Sequence, residues 1–339
     1  FRRAGNTRPQ TSSPPARARI IRRLSNPSVL MELIRGLHNL RPAHRGGVAT
    51  IGNFDGVHIG HRRILDQLIA EARARQVPAT VILFEPQPAE FFAPEKAPPR
   101  LMTLRDKVLA LRRAGVDQVL CCRFDQRFRS QSAAQFVDNL LVKGLGIVHL
   151  VVGDDFRFGA DRCGDFAYLV EAGSQHGFTV ADTPTCEIAA ERVSSTRIRA
   201  TLQNGELELA AALLGHPYAI SGRVRHGDKL GRQIGVPTAN LAMRRVQSPV
   251  AGVYAVRVSG GGLQGAPGVA NVGSRPTVNG SDNRLEVHLL DFNGDLYGRH
   301  LEVEFLHFLR PEKKFDGLEA LTAAIHADIA NAKAFFSQS

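Results

Sequence analysis

Several features are missing from this chain, and each absence closes off a class of function. No apolar run approaches the ~20 residues that a membrane-spanning helix needs, so no membrane partner is expected. Cysteine is scarce: the four residues Cys121, Cys122, Cys163 and Cys186 lack zinc-ligand spacing and read as reduced thiols of a cytoplasmic protein. No G-x-x-x-x-G-K-[ST] stretch occurs, so a Walker-type phosphate loop is excluded. Acidic residues are absent from positions 1 to 30, which hold seven arginines.

That last absence explains most of the net charge of +11. Removing the seven arginines leaves 36 basic against 32 acidic residues in the remaining chain, an ordinary balance. A Pro-, Ser- and Arg-rich tail cannot build a core. It has the composition of a nucleic-acid-binding arm or a transit peptide. The patterned sequence "MELIRGLHNL" begins only at Met31, however, and residues 1 to 30 are expected to be a disordered extension outside the natural protein. No nucleic-acid partner is expected.

From Val48 to about Leu214, short apolar runs alternate with helical patterns. "VATI" (48–51), "ATVILF" (79–84), "QVLCCRF" (118–124) and "IVHLVVG" (147–153) read as buried strands. Helices are expected from about Gly60 to Arg75, near 103–115, and from about Ser132. Buried strands alternating with helices make a parallel sheet covered on both faces, with ligands beyond the carboxyl ends of the strands. After "LLGHPYAISG" the grammar changes. Period-2 stretches such as "YAVRV" (254–258), "RLEVHLL" (284–290) and "HLEVEFL" (300–306) alternate with glycine-rich turns, the writing of a small antiparallel barrel. A closing helix follows, with Leu318, Leu321, Ile325 and Ile329 on one face. The expected fold is therefore α/β: a Rossmann-like parallel-sheet unit over 31–213, then a β-barrel with a C-terminal helix over 214–339.

The stretch "TIGNFDGVHIGH" (50–61) places two histidines, His58 and His61, where a strand runs into a helix. A helix start offers unpaired N–H groups and partial positive charge to an anion. Two imidazoles can donate hydrogen bonds to phosphoryl oxygens, and protonation would strengthen them. Gly52, Gly56 and Gly60 let the backbone approach a ligand closely. The alternative is a tight turn with polar decoration; at this junction the nucleotide reading ranks higher.

In "RVSSTRIRA" (192–200), Ser194 can cap a helix whose first turn holds Ser195 and Thr196. Arg199 follows three and four residues later, so the three are expected to reach one side and suit a polyphosphate. Alone, a capped surface helix explains this stretch better; beside the histidines, the two motifs would bracket one triphosphate. "GDDFRFG" (153–159) sets Asp154 and Asp155 at a strand end, with Asp155 either a ligand contact or a turn cap. "FEPQPAEFF" (84–92), beginning at Phe84, could line a substrate pocket. In the second half, "HGDKLGRQIGVPTAN" (226–240) is a glycine-rich loop containing Gly227, Asp228, Lys229 and Gly235. Thr238 and Asn240 are expected to point the same way and offer neutral oxygens to a magnesium ion carried by ATP, a turn with Asn at its tip being the plainer alternative. Glu286 alternates outward from Leu285, Val287 and Leu289, where a carboxylate could take a proton from a hydroxyl, although most strand glutamates are only solvated.

Taken in order, "MELIRGLHNL", "TIGNFDGVHIGH", "LFEPQP", "VVGDDFRFG", "SSTRIR", "HGDKLGRQIGVPTAN", "GVANVGSRPT", "LEVHLLDF" and "FLRPEKKF" resemble the prokaryotic bifunctional riboflavin kinase/FAD synthetase family from Met31 to the last helix. The resemblance implies two reactions: a kinase making FMN from riboflavin and ATP in the barrel, and an adenylyltransferase joining FMN and ATP in the α/β half. It implies that His58 and His61 stabilise the ATP phosphates, within a loop that includes Gly52, Asn53, Phe54 and Asp55. It further implies that Arg192, Ser195, Thr196 and Arg199 hold the triphosphate, and that Asp155 and Phe84 contact the flavin. In the kinase it implies a loop from Gly227 to Gly235 over ATP, Thr238 and Asn240 at Mg2+–ATP, and Glu286 as general base. The arginine-rich tail has no counterpart in that family, and Cys163 stands where a small residue such as Ser is usual.

Overall fold

A computed structural model describes residues 31–226, 235–243, 247–277 and 280–338, without the side chains of 274–277 and 280–283. The expectations for residues 1 to 30 and for Gly227, Asp228 and Lys229 lie outside the described residues.

The first half is a six-stranded parallel sheet in the order β1-β4-β3-β2-β5-β6. Its strands are β1 (Glu32–Arg35), β2 (Val48–Ile51), β3 (Ala79–Glu85), β4 (Gln118–Arg123), β5 (His149–Gly153) and β6 (Thr179–Thr183). The four central strands are the four apolar runs, and Val48, Ile82, Leu120 and Leu150 are each fully buried. Such continuous burial is what a sheet covered on both faces demands. Helices α1 (Ile59–Ala74), α2 (Pro88–Phe92), α3 (Leu104–Arg113), α4 (Gln126–Arg129), α5 (Ala133–Phe136) and α6 (Phe166–His176) occupy the connections. Ser132 caps α5 by accepting the Gln135 N–H, and the chain continues through wider turns over Val137–Leu145. A short hairpin of β7 (Glu187–Ile188) and β8 (Glu191–Arg192) leads into α7 (Ser195–Gln203) and α8 (Leu207–Leu214).

The second half is a closed barrel of β9 (Ala219–Arg225), β10 (Ala239–Ala242), β11 (Gly252–Gly260), β12 (Leu263–Thr277), β13 (Gly280–Leu289) and β14 (His300–Arg310). All pairings between its strands are antiparallel. Leu285, Val287 and Leu289 are buried with Leu241, Tyr254 and Phe305 in its interior. The same cluster runs out to Leu101, Ile198, Leu202 and Leu214, so one apolar core joins barrel and α/β half.

The closing helix α9 (Leu318–Ser337) seats on only the far end of its expected face. Leu318 is 52% exposed, while Ile329 packs with Ala332 against Val253, Ala255, Val269 and Leu290. Leu290, although alternation along β13 would put it on the face of Glu286, is buried in this cluster. Asp328 is 4% exposed and receives two hydrogen bonds of 2.8 Å from Arg310, whose guanidinium matches the carboxylate fork. The seat is therefore made by the C-terminal half of α9.

Candidate functional site

The loop from β2 to α1 is shaped by backbone that few residues tolerate. Phe54 and Val57 have φ of 47° and 42°, in the left-handed region that a β-branched residue avoids. Both are almost fully buried, so packing holds the strained turn in place. Gly56, at φ 87°, has no room for a side chain, because a Cβ there would lie 2.9 Å from Leu101 Cδ1. The loop ends on His58, which caps α1: its Nδ1 accepts the His61 N–H at 3.3 Å. The two imidazoles then stack, centroids 3.6 Å apart.

Stacked and buried, neither ring carries charge at neutral pH. Burial lowers the His58 pKa to about 4; Asp55 opposes this, and Arg192 and Arg199 add to it. Burial, then His58 and Lys107, hold His61 well below the ordinary histidine range. The rings are thus neutral hydrogen-bond donors at neutral pH, without the strengthening that protonation would bring.

A cavity of about 630 Å³ opens at the carboxyl ends of β2, β3 and β5. Its polar lining includes Asn53, His58, His61, Arg192, Ser195 and Thr196. Its aromatic lining includes Phe84, Phe92, Phe124, Phe128, Phe136, Phe156 and Phe158, whose rings form one connected cluster. Phe84 packs against Phe124 and Phe128 at 5.8 and 5.1 Å. Gly52 and Phe54 also line it, and Asp155 pairs with Arg192 at 2.6 Å in an exposed ion pair.

Asp55 and Arg199 depart from expectation. Neither lines the cavity. Asp55 is 2% exposed and accepts the backbone N–H groups of Leu101 and Met102, each at 3.0 Å. Arg199 donates to Asp55 at 2.6 Å and to the Pro99 carbonyl at 2.6 Å. Ser195 donates its hydroxyl to the Asp55 carbonyl at 2.9 Å. Helical spacing put Arg199 beside Ser195 and Thr196, but the guanidinium turns to the buried carboxylate, because an ion buried without its partner costs several kcal/mol. The pair fastens loop 52–58, segment 99–102 and α7 to one another.

In the barrel, a cavity of about 420 Å³ is walled by Val224, Pro237, Thr238, Val287, Leu296 and Tyr297. Asn240 and Glu286 are not in that lining. They are register partners across β10 and β13, on the wall opposite the buried Leu241, Leu285 and Val287. Thr238, which precedes β10, lines this cavity, whereas Asn240 lies beside Glu286 on the face of β10 that alternates with buried Leu241. Gly235 has a φ of 76°. One residue was missed in the sequence: Asn271 of β12 is the register partner of Glu286 on its other side, which aligns Asn240, Glu286 and Asn271 across three strands. Only strand pairing reveals that row.

The donor set suits magnesium arriving with ATP. A threonine hydroxyl and an asparagine carboxamide are neutral oxygens, enough for an ion already ligated by phosphates. Among the described residues no group of three or more His, Cys, Asp or Glu could hold a metal independently. None of the described helices is long and apolar enough to cross a membrane.

Comparison with known proteins matches each half. The FAD synthetase family matches residues 40–197, and the riboflavin kinase family matches residues 214–336. The bifunctional riboflavin kinase/FMN adenylyltransferase of Pseudomonas fluorescens is 56% identical over 310 residues, covering 91% of this chain and 99% of that one. The enzyme of the same name from Escherichia coli K12 is 55% identical over 307 residues, covering 90% and 98%. A crystal structure described as a macrolide-efflux protein from Streptococcus pneumoniae superposes with a TM-score of 0.77 at 30% identity, covering 89% of this chain and 98% of that one. With both halves matched and the relatives spanned nearly end to end, the chain belongs to the bifunctional riboflavin kinase/FMN adenylyltransferase family and carries both activities.

Proposed function

We propose a division of labour in which the barrel phosphorylates riboflavin and the α/β cavity converts the resulting FMN to FAD. The observation that carries it is the mixed lining of the cavity of about 630 Å³: a helix start with two stacked imidazole donors and a connected cluster of phenylalanine rings share one space. Phosphates suit the first surface and a planar tricyclic ring the second. His58 and His61 donate N–H groups to the ATP phosphates, with Arg192, Ser195 and Thr196 on the triphosphate. The phosphate oxygen of FMN attacks the α-phosphorus and pyrophosphate leaves, so no side-chain nucleophile is required. What the protein supplies is alignment and compensation of charge. The Asp155–Arg192 pair opens when the triphosphate takes the guanidinium. Asp55 and Arg199 act behind this surface, by joining the two motifs that grip the nucleotide.

In the barrel, Glu286 takes the proton of the terminal ribityl hydroxyl as that oxygen attacks the γ-phosphorus of ATP. Asn240, beside Glu286, and Thr238, two residues earlier, would offer neutral oxygens to magnesium arriving with ATP, and the ion would neutralise phosphate charge. Incubation with riboflavin, Mg2+ and ATP, followed by chromatography, should show FMN rising first and FAD following with pyrophosphate. A product with neither phosphate nor adenylyl added to the flavin would end this reading.

A further inference from the structure

The hairpin of β7 and β8 turns on residues poorly suited to it. Ile188 pairs with Glu191, which leaves Ala189 and Ala190 as a two-residue loop. Both have φ in the left-handed region, 54° and 59°. Such a turn matches the twist of its strands but favours Asn-Gly, because a Cβ crowds the backbone there. Both alanines are exposed, so no packing compensates, unlike Phe54 and Val57. Each strand is two residues long, and so small a hairpin does not hold itself closed.

Arg197, in the first turn of α7, closes it. Its Nη1 donates to the carbonyls of Ile188 and Glu191, each at 2.9 Å, and its Nε lies 3.0 Å from the Glu191 carboxylate. The Arg197 side chain is 16% exposed. One planar group therefore grips both strands across the turn. At the other end of the hairpin, the Val193 N–H donates to the Cys186 carbonyl at 2.8 Å. Cys186, Arg192, Ser195 and Thr196 line the cavity, and Arg197 does not.

We propose that Arg197 is a positioning residue for adenylyl transfer: by clamping the β7–β8 hairpin to α7, it fixes Arg192 relative to Ser195 and Thr196 so that all three meet one triphosphate. The inference rests on the reading of those three residues as triphosphate contacts. The Glu191 carbonyl that Arg197 holds belongs to the peptide leading into Arg192, so the clamp acts one bond away from the residue it places. The Arg192 side chain has its own anchor in Asp155, but that pair is exposed and an exposed pair fixes little. A lysine could not replace the clamp, because its single nitrogen lacks the planar fork that spans two strands. The same group also ties the hairpin to the helix that carries the hydroxyls, since its own N–H is held at 3.2 Å by the capping Ser194 hydroxyl.

The test is a double-mutant cycle on FAD synthesis from supplied FMN, Mg2+ and ATP by the full chain, with riboflavin phosphorylation reporting that each variant is folded. Arg197→Met should raise the KM for ATP about tenfold, the scale of hydrogen bonds lost from a charged group. Its kcat should change little, because a contact made equally to bound ATP and to the transition state is uniform binding. In the Arg192→Met background the same substitution should raise KM less than about twofold, since the residue it places is gone. Arg197→Lys should fall between, and it takes the place of Arg197→Met in the cycle if that variant does not phosphorylate riboflavin. Ala189→Asn with Ala190→Gly, which suits the turn, should recover part of the KM in the Arg197 variant. A folded Arg197 variant with an unmoved KM, effects of Arg192 and Arg197 that simply multiply, or a turn replacement that recovers nothing would overturn the proposal. An Arg192→Met protein with a wild-type KM for ATP would instead count against the reading of the site, which keeps the two failures distinguishable.

Discussion

Replacing Asp55 by Asn tests whether the two nucleotide-binding motifs are held together by a buried charge. The carboxylate is 2% exposed, and its partner Arg199 is 9% exposed. The amide cannot balance the guanidinium 2.6 Å away, and its one carbonyl oxygen must serve three donors that previously shared two. Breaking a buried pair from one side costs about 3–5 kcal/mol, because the remaining ion is left without compensation. Set against a whole-domain stability of about 5–15 kcal/mol, this is a large loss. The chain has no tryptophan, so urea unfolding is best followed by far-UV circular dichroism, with the first transition assigned by loss of FAD synthesis. Asp55→Asn should shift that transition to lower urea and abolish FAD formation, while riboflavin phosphorylation persists. Combining it with Arg199→Met should recover part of the loss, since the stranded cation is removed. An Asp55→Asn protein within about 0.5 kcal/mol of wild type, the range of an ordinary surface substitution, would refute the reasoning.

Two further outcomes follow from buried groups. His58 titrates at about 4 in the folded protein against an ordinary value of about 6.5 in the unfolded chain. Between those values the unfolded state binds a proton that the folded state refuses, so stability should fall as pH drops from about 6.5 to 4, by up to about 3 kcal/mol from this group. Urea melts across that window should show the loss, and His58→Asn, which can still cap the helix, should reduce it. Asp328→Ala should leave Arg310 unpaired under α9 and cost about 3 kcal/mol, read as a lower melting temperature of the barrel with α1 and its sheet unaffected.

What the sequence made legible depended on how local the cause was. "VATI" and its three companion runs are buried on both faces, so their composition announces them. His58 and His61 were found because a strand end, three glycines and a helix start lie within fourteen residues. The edge strands were not found: Glu32–Arg35 buries only Ile34, and Thr179–Thr183 buries only Thr183. Neither carries an apolar pattern. Leu263–Thr277 is broken in writing by Gly265, Pro267, Gly268 and Gly273, and is a strand only because β11 and β13 flank it. Asp55 and Arg199 stand 144 residues apart, so helical spacing could suggest that Ser195 and Arg199 reach one side but not that they meet at Asp55. Lys107, 1% exposed on α3, sits in a helix rich in charge, where nothing local distinguishes a lysine that tertiary packing encloses.

The separation of the two chemistries is the claim on which the account turns, and Glu286→Gln examines it most directly. The variant is given either riboflavin or FMN, each with Mg2+ and ATP, and flavins are separated by chromatography. Removing the base should cut FMN formation from riboflavin by at least about 100-fold, while FAD forms from supplied FMN at the wild-type rate. A folded variant that fails on both substrates, or still phosphorylates riboflavin at the wild-type rate, would contradict the account.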